Sequence, residues 1–376
     1  MTNSVAQFRF VDIRYALVVL VLWQALGGTA AAEPTKFNHR KLAEAARSQF
    51  IVPSYQKFGR ALSDLRTGIA ELCRVPAKTQ LDVVRSAYRD VIATWGRAEI
   101  IAFGPIAAEN RFERIFYWPD RKGIGARQVR RILATSDPGA IDVAKLTRKS
   151  VAVQGLSALE LLLFGSTAST LADGTANAFS CRYALAIADN LANINATILR
   201  GWRDGGEFAR IWQTPGRDNP AYLADKENTM ELVKAFDHGL TRVRDARLAP
   251  ALGIGSKRKA RPVLWRSRLS VVLIHANIIG LRDLFFKGGL AEAYLESSQS
   301  QIVGAEARLA SIKRVFEQTL RMTDRLAREG DPFGLPDIQS RLVRLGFPLK
   351  NVRLNAVSAL KAAAGLSLGF NASDGD

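Results

Sequence analysis

Histidine is scarce in this chain. Three occur among 376 residues, His39, His238 and His275, and none belongs to a His-Glu-x-x-His pair, so the two-imidazole geometry of the familiar zinc proteases is excluded. Alternating apolar and polar stretches bounded by tight turns are equally scarce, which argues against a fold built on half-buried strands. Beyond the amino terminus no apolar run approaches the roughly eighteen residues that a membrane-spanning helix needs. Apolar residues themselves are not lacking. They make up 48% of the chain, enough for one large core or two smaller ones, and this sets aside the disordered and fibrous classes.

What is present begins with an export signal. Arg9 and Arg14 precede the apolar run of residues 15–23, and Gly27, Gly28 and Ala30, Ala31 and Ala32 follow before Glu33 and Pro34. A charged start, a short apolar segment and small residues at a cleavage point describe a secretory signal over residues 1–32, cut after Ala32. An uncleaved anchor is the alternative, although the run is short for a span, and no cysteine follows the cleavage point to carry a lipid. The expectation is an exported, periplasmic chain with no transmembrane segment once mature. An oxidising compartment gives the two cysteines a meaning. A bridge between Cys73 and Cys181 would close a loop of over a hundred residues and stabilise by roughly 2–4 kcal/mol. Two free buried cysteines are the alternative.

The formal net charge is +18, and the signal, with two arginines and Asp12, accounts for little of it. Such a balance favours attraction to anionic surfaces or ligands and says nothing of fold. Export removes nucleic acid from the intended partners. The densest patch, Lys257, Arg258, Lys259 and Arg261 beside Gly253 and Gly255, reads as a solvated loop or as a contact for anionic envelope polymers.

Periodicity predicts helices throughout. Phe58, Leu62, Leu65, Ile69 and Leu72 step by four and three, as do Leu81, Val84, Tyr88, Val91 and Trp95, and the pattern returns in Ile187, Leu191, Ile194, Ile198 and Trp202. Trp265, Leu269, Val272, Ala276 and Ile279 repeat it, and Ile302, Ala305, Leu309, Ile312 and Phe316 do so again. Connections are marked by Gly104-Pro105, Asp137-Pro138-Gly139, the stretch from Thr214 to Pro220, Ala249-Pro250, Asp331-Pro332 and Leu335-Pro336. Residues 110–125 read as irregular structure carrying aromatics. The fold class is all-α, two helical bundles of similar size over residues 33–215 and 216–376, with a single large helical domain as the competing view.

Chemistry centres on the stretch Gly155-Leu156-Ser157-Ala158-Leu159-Glu160. Leu156, Leu159 and Leu163 trace a buried helix face, and Glu160 beside them reads as a satisfied polar group. Positions three apart share a face, so Ser157 and Glu160 can converge on one ligand. Trp265-Arg266-Ser267 is a second element: an arginine fixed beside an aromatic is a good donor to carboxylate or phosphate, and the alternative is an internal ion pair of Arg266 with Glu160 or Asp120. Trp118 and Asp120 are either site rim or loop plug. His275 is most simply a hydrogen-bonded interior residue, and His39 and His238 read as surface residues. Asn277 lies too far around its helix from Trp265 to be assigned.

Taken in order, Phe103-Gly104-Pro105, Tyr117-Trp118-Pro119-Asp120, the segment ending in Glu160, Trp265-Arg266-Ser267 and the tail Gly369-Phe370-Asn371 with Asp374-Gly375-Asp376 resemble imelysin-like proteins across nearly the whole mature chain. The 155–160 segment is similar to that family's Gly-x-His-x-x-Glu motif, with Ser157 in place of histidine. The resemblance implies one imelysin-like domain of two bundles with approximate internal symmetry and a ligand site where they meet. It also implies an exported bacterial protein of a group classed by name with metallopeptidases and linked in several relatives to iron uptake. A metal ion is one reading of the cofactor, with Glu160 as its ligand, but a hydroxyl is a poor substitute for imidazole. A metallopeptidase needs an open metal and a base, and one strong ligand candidate does not supply them. The sequence therefore reads as a non-catalytic binding component serving iron or other metal acquisition. Its partner is a metal or a small anionic ligand at Ser157, Glu160, Arg266 and their neighbours Trp118, Asp120, Trp265 and Ser267. The alternatives are an imelysin-type metallopeptidase and a structural envelope protein that binds anionic polymers.

Overall fold

The computed structural model describes residues 37–120, 122–173, 178–252, 261–298, 304–329 and 337–366. The signal segment, Ile302, Gly253 to Ala260, the Asp331-Pro332 and Leu335-Pro336 connections and the tail from Gly369 lie outside the described residues. Within them the chain is helical and contains no strand. No helix among them is long and apolar enough to cross a membrane.

Helix α1 (His39–Ala45) passes through a π turn, Ala46–Ile51, into α2 (Val52–Arg74), and α3 (Lys78–Ala98) returns antiparallel to it. Short helices α4 (Arg111–Ile115), α5 (Ile124–Thr135) and α6 (Leu156–Phe164) precede the long α7 (Ala178–Trp202) and α8 (Glu207–Gln213). Then α9 (Asp225–Thr241) continues through a second π turn, Arg242–Leu248, before α10 (Ser270–Phe286), α11 (Leu290–Ser298) and α12 (Ala305–Arg328). Finally α13 (Ile338–Val352) runs through a third π turn, Arg353–Val357, into α14 (Ser358–Ala363).

The periodic apolar positions make the core. Phe58, Leu62, Leu65, Ile69 and Leu72 line the buried face of α2, and Leu81, Val84, Tyr88, Val91 and Trp95 that of α3. Helix α2 packs between α3 and α7. Helix α10 is apolar on nearly all sides, as a helix enclosed by others must be, and it meets α3, α9 and α12. One continuous cluster of buried side chains links all of these helices. Helix α1, although early in sequence, packs against α9, α8 and α11.

Two boundaries differ from the periodic reading. Trp265 and Leu269 precede α10, which starts at Ser270, because Leu264 (φ 54°) and Arg268 (φ 59°) take left-handed backbone that no helix accommodates. Pro250 stands just past the second π turn, in the last helical segment Ala249–Ala251, so the helix ends after the proline and not at it.

Helices α3 and α10 cross at glycines. A Cβ on Gly96 would lie 2.7 Å from the Ala276 Cβ and 3.1 Å from the Leu273 carbonyl oxygen, and one on Gly280 would lie 2.8 Å from the Arg97 carbonyl oxygen. The backbones are therefore as close as side-chain-free positions permit. At this crossing Glu99 is wholly buried. Its carboxylate accepts from Asn277 Nδ2 at 2.7 Å and from Arg247 Nη2 at 3.1 and 3.2 Å, while Arg242 donates to its carbonyl oxygen at 2.6 Å. Burial pulls the Arg242 guanidinium below its usual range, and the Glu99 charge opposes that shift. The guanidiniums of Arg242 and Arg247 lie over the rings of Phe112 and Phe116, at 4.8 and 5.4 Å from their centroids.

Each π turn carries an arginine to a distant partner. Arg47 donates to the Trp202 carbonyl and to Asp204, Arg247 pairs with Glu99, and Arg353 pairs with Asp237 of α9. A π turn accommodates an extra residue in the helix, which here places an arginine where the regular spacing would not. Cys73 near the end of α2 and Cys181 in the first turn of α7 form a disulfide with Cα atoms 5.6 Å apart, closing a loop of 108 residues.

Two outcomes follow from this packing. Removing the bridge by Cys73→Ala with Cys181→Ala lowers unfolding stability in urea by about 2–4 kcal/mol, whereas a thiol count of two in the native, unreduced chain would show that no bridge forms. Glu99→Ala strands Arg247 in the interior and costs about 3–5 kcal/mol, and an unchanged denaturation midpoint would remove the pair from its structural role.

Candidate functional site

The segment leading into α6 is held by its neighbours' polar groups. Tyr183 donates to the Val153 carbonyl at 2.6 Å, Asn190 to the Gln154 carbonyl at 3.2 Å and Tyr88 to the Leu156 carbonyl at 2.9 Å. Gln154, fully buried, donates to the Lys149 carbonyl and accepts from Arg114. The glycine of the motif answers a close approach. Gly155 has extended backbone, and any Cβ there would collide with the carbonyl oxygens of Arg114 and Ile115 at the end of α4.

From this anchored start α6 projects Ser157 and Glu160 toward the 261–269 turns. The Ser157 hydroxyl donates to the Tyr117 carbonyl at 2.8 Å. Glu160 is 4% exposed, and its Oε1 accepts from the Ser267 amide at 2.9 Å and the Ser267 hydroxyl at 2.8 Å. Burial raises the Glu160 carboxyl above the ordinary value of 4.5, while the Ser267 donors, the Arg266 charge and the Arg266 amide pull the other way. Asp120 accepts from the amides of Ile124 at 2.7 Å and Ala126 at 3.4 Å, so its carboxylate caps the start of α5.

Trp118, Asp120, Ser157, Glu160 and Arg266 line one cavity of about 40 Å³, room for a water or a small ion. The structure thus brings together most of the residues singled out in the sequence. Ser267 stands behind Glu160 as its donor. Trp265 lies outside the cavity, 36% exposed, with the guanidiniums of Arg261 and Arg266 at 4.3 and 4.4 Å from its ring centroid. Burial holds Arg266 below its usual range, Arg261 and Arg130 reinforce this, and Glu160 and Asp120 oppose it. No carboxylate among the described residues stands within ion-pairing distance of Arg266, so the internal pair allowed by the sequence does not form. The Trp118 Nε1 is buried and meets no acceptor among the described residues.

The donor set does not fit a transition metal. Glu160 already serves two Ser267 donors through one oxygen, Ser157 is turned to a carbonyl, and Asp120 is spent on a helix start. No imidazole stands by. His275 pairs with Thr323 Oγ1 of α12 at 2.8 Å, and His39, read as a surface residue, is half-buried and pairs with Thr229 Oγ1 at 2.8 Å. Among the described residues no three or more His, Cys, Asp or Glu gather as a metal-binding group.

Asn277 and Glu99 were outside the sequence-derived site, and Tyr88, Tyr183 and Asn190 around the motif were missed as well. A glycine within a helical pattern, Gly96, was the available signal for a close helix crossing nearby.

The imelysin family profile matches residues 51–359. Two solved structures share the fold. An imelysin-like protein from Psychrobacter arcticum superposes with a TM-score of 0.71 at 16% identity, covering 88% of this chain and 97% of that one. A protein from Parabacteroides distasonis, described provisionally as an iron-regulated protein A precursor, superposes with a TM-score of 0.69 at 14% identity, covering 89% and 97%. A comparison with curated protein sequences finds no match.

Because the Glu160 carboxyl is raised, the folded chain holds that proton more tightly than the unfolded chain does. Its contribution to stability is full below 4.5 and is lost as pH rises through the raised value. Urea midpoints measured from pH 4.5 upward are expected to fall less steeply for Glu160→Gln than for wild type. Parallel slopes would assign the pH dependence to other groups.

Proposed function

The chain belongs to the imelysin family, and from that premise we propose that it is an exported, non-catalytic binding component of the periplasm. Its site takes a small anionic ligand where the bundles of residues 33–215 and 216–376 meet, in the service of metal acquisition. The observation that carries this reading is the state of the family's two ligand positions. Ser157 replaces histidine, and Glu160 is engaged as an acceptor for the 261–269 turns.

What remains available at the cavity is donor chemistry: the Arg266 guanidinium, stacked on Trp265 and free of a carboxylate partner among the described residues, and the unpartnered Trp118 Nε1. Such a set suits an oxyanion or carboxylate better than a bare cation. The cavity of about 40 Å³ admits a small group, and a larger ligand would have to displace Arg266 or Trp118. Export is supported by the order of charge, apolar run and small residues over 1–32 and by the Cys73–Cys181 bridge, which suits an oxidising compartment. The iron link rests on the family and on the name of the structurally similar Parabacteroides protein, an iron-regulated protein A precursor.

The metallopeptidase alternative needs a bound metal with an open position, so metal content separates the two. Wild-type protein is expected to retain no stoichiometric iron, zinc or copper, while carbonate, phosphate or citrate in excess raises its Tm by about 2 °C or more. Arg266→Ala abolishes that shift. One metal ion per wild-type chain, lost in Glu160→Ala and accompanied by chelator-sensitive proteolysis, would replace the proposal with the peptidase.

A further inference from the structure

Seven large apolar side chains are strongly exposed among the described residues, and three of them, Val343 (42%), Phe347 (66%) and Leu354 (56%), belong to α13 and the π turn that follows it. Single exposed apolar residues are ordinary, but a row of them is not. Their spacing of four and seven residues puts them on one stripe of the helix, and exposed Lys350 lies on the same stripe. The stripe is a ridge, since the opposite face of α13, with Leu342, Leu345 and Leu349 buried, is turned inward and the helix packs on α12 and the 242–248 π turn.

Charge on the ridge segment itself is of one sign. Residues 338–366 contain five cations, Arg341, Arg344, Lys350, Arg353 and Lys361, and no Asp or Glu. Arg341 is neutralised by Glu329 and Asp337, and Arg353 by Asp237. Arg344 has no carboxylate partner among the described residues. It opens onto a groove of about 500 Å³ between α13 and α12, lined also by the paired Arg341 and Glu329, whose α12 wall carries Arg321 and Arg325, likewise unpaired among the described residues. Three unneutralised guanidiniums therefore flank an apolar ridge.

We propose that the α13 ridge, with Arg344 and the Arg321 and Arg325 wall beside it, is a docking surface for an anionic phospholipid bilayer. Two independent features converge on this occupant. Phe347, Leu354 and Val343 gain by leaving water for the acyl boundary, and the arginines at the level below meet phosphate headgroups. A second copy of this chain would bring like charges together. A soluble polyanion would leave the apolar ridge without purpose, and a protein partner would need a groove to receive a projecting ridge. The surface is separate from the Glu160 cavity and does not depend on its ligand.

The test uses the full chain and vesicle co-sedimentation with phosphatidylcholine alone or mixed with phosphatidylglycerol. Binding through the amino-terminal apolar run would be common to every variant and visible on neutral vesicles, so the readout is the difference between lipids. Wild type is expected to partition at least tenfold better onto the anionic vesicles, less so as salt rises. Phe347→Ser with Leu354→Ser, and separately Arg321→Gln with Arg325→Gln and Arg344→Gln, each remove that preference. Because every altered side chain is exposed, the helical circular dichroism and Tm of the variants stay at wild-type values. Equal partition of wild type onto both lipids, or variants that keep the preference, would overturn the proposal. So would soluble polyphosphate binding that the Phe347 and Leu354 changes leave intact, or a wild-type dimer that those changes dissociate.

Discussion

The close crossing of α3 and α10 is the constraint on which the rest of the molecule depends. Gly96 and Gly280 let the two backbones approach to a distance that any side chain would forbid, and Ala276 keeps the seam narrow. At that distance Glu99 has no route to water, so its carboxylate and backbone carbonyl need partners supplied by the fold. They come from three directions: Asn277 on α10, Arg247 on the second π turn, and Arg242 at the carbonyl. The pair is costly to bury and costlier to break. Its effect is to fix the register of α3, α10 and the 242–248 turn at once. Through Phe112 and Phe116, which lie under the two guanidiniums, the same seam reaches the segment that walls the Glu160 cavity.

From this seam the candidate site acquires its geometry. The 261–269 turns lead straight into α10, and their left-handed residues Leu264 and Arg268 fold the chain back so that Ser267 presents both its amide and its hydroxyl to Glu160. Glu160 thereby acts as a latch between α6 and the approach to α10. A histidine three residues before such a glutamate could share a ligand with it. A serine there turns instead to the Tyr117 carbonyl and secures the aromatic segment that carries Trp118. The site has the family's scaffold with its polar groups largely satisfied from within. What it leaves unsatisfied are donors, and that asymmetry is the ground for proposing an anionic ligand.

How far this was readable from the chain depends on the physics of each element. Helices α2, α3 and α12 were legible because one face of each is buried and the other wet, so their periods survive in the sequence, and α7 because its large apolar residues keep the period although few of its positions are exposed. Helix α10 was legible in kind and not in extent. It is enclosed on nearly all sides, its apolar pattern runs unbroken into the preceding turns, and only the backbone at Leu264 and Arg268 marks where the helix cannot begin. The π turns carried no signal, since an extra residue in a helix shifts a hydrogen bond without changing composition. The clustering of Ser157, Glu160, Arg266, Ser267, Trp118 and Asp120 was legible from the order of motifs shared with imelysin-like proteins, not from the residues' chemistry. The Glu99 cluster escaped because a buried ion pair looks, in sequence, like any surface glutamate and arginine.

The large positive charge illustrates why a composition has to be placed before it is interpreted. A net charge of +18 invites the inference of an anionic partner, yet many of the arginines are structural. Arg47, Arg97, Arg247 and Arg353 are matched to carboxylates on other segments, and Arg114 and Arg242 are spent on a side-chain amide and a backbone carbonyl. Arginine suits that work because its fork bonds two acceptors while its stem packs on apolar surface. Subtracting such residues leaves a smaller charge available to a partner. Among the described residues two groups of arginines without a carboxylate partner stand out by their neighbours: Arg261 and Arg266 around Trp265, and Arg321, Arg325 and Arg344 beside the exposed ridge of α13. Both places pair unneutralised guanidiniums with an exposed aromatic side chain, Trp265 in one and Phe347 in the other. Charge that the fold consumes cannot recruit a partner, and it is these two groups, where free guanidiniums meet exposed apolar surface, that combine both kinds of attraction.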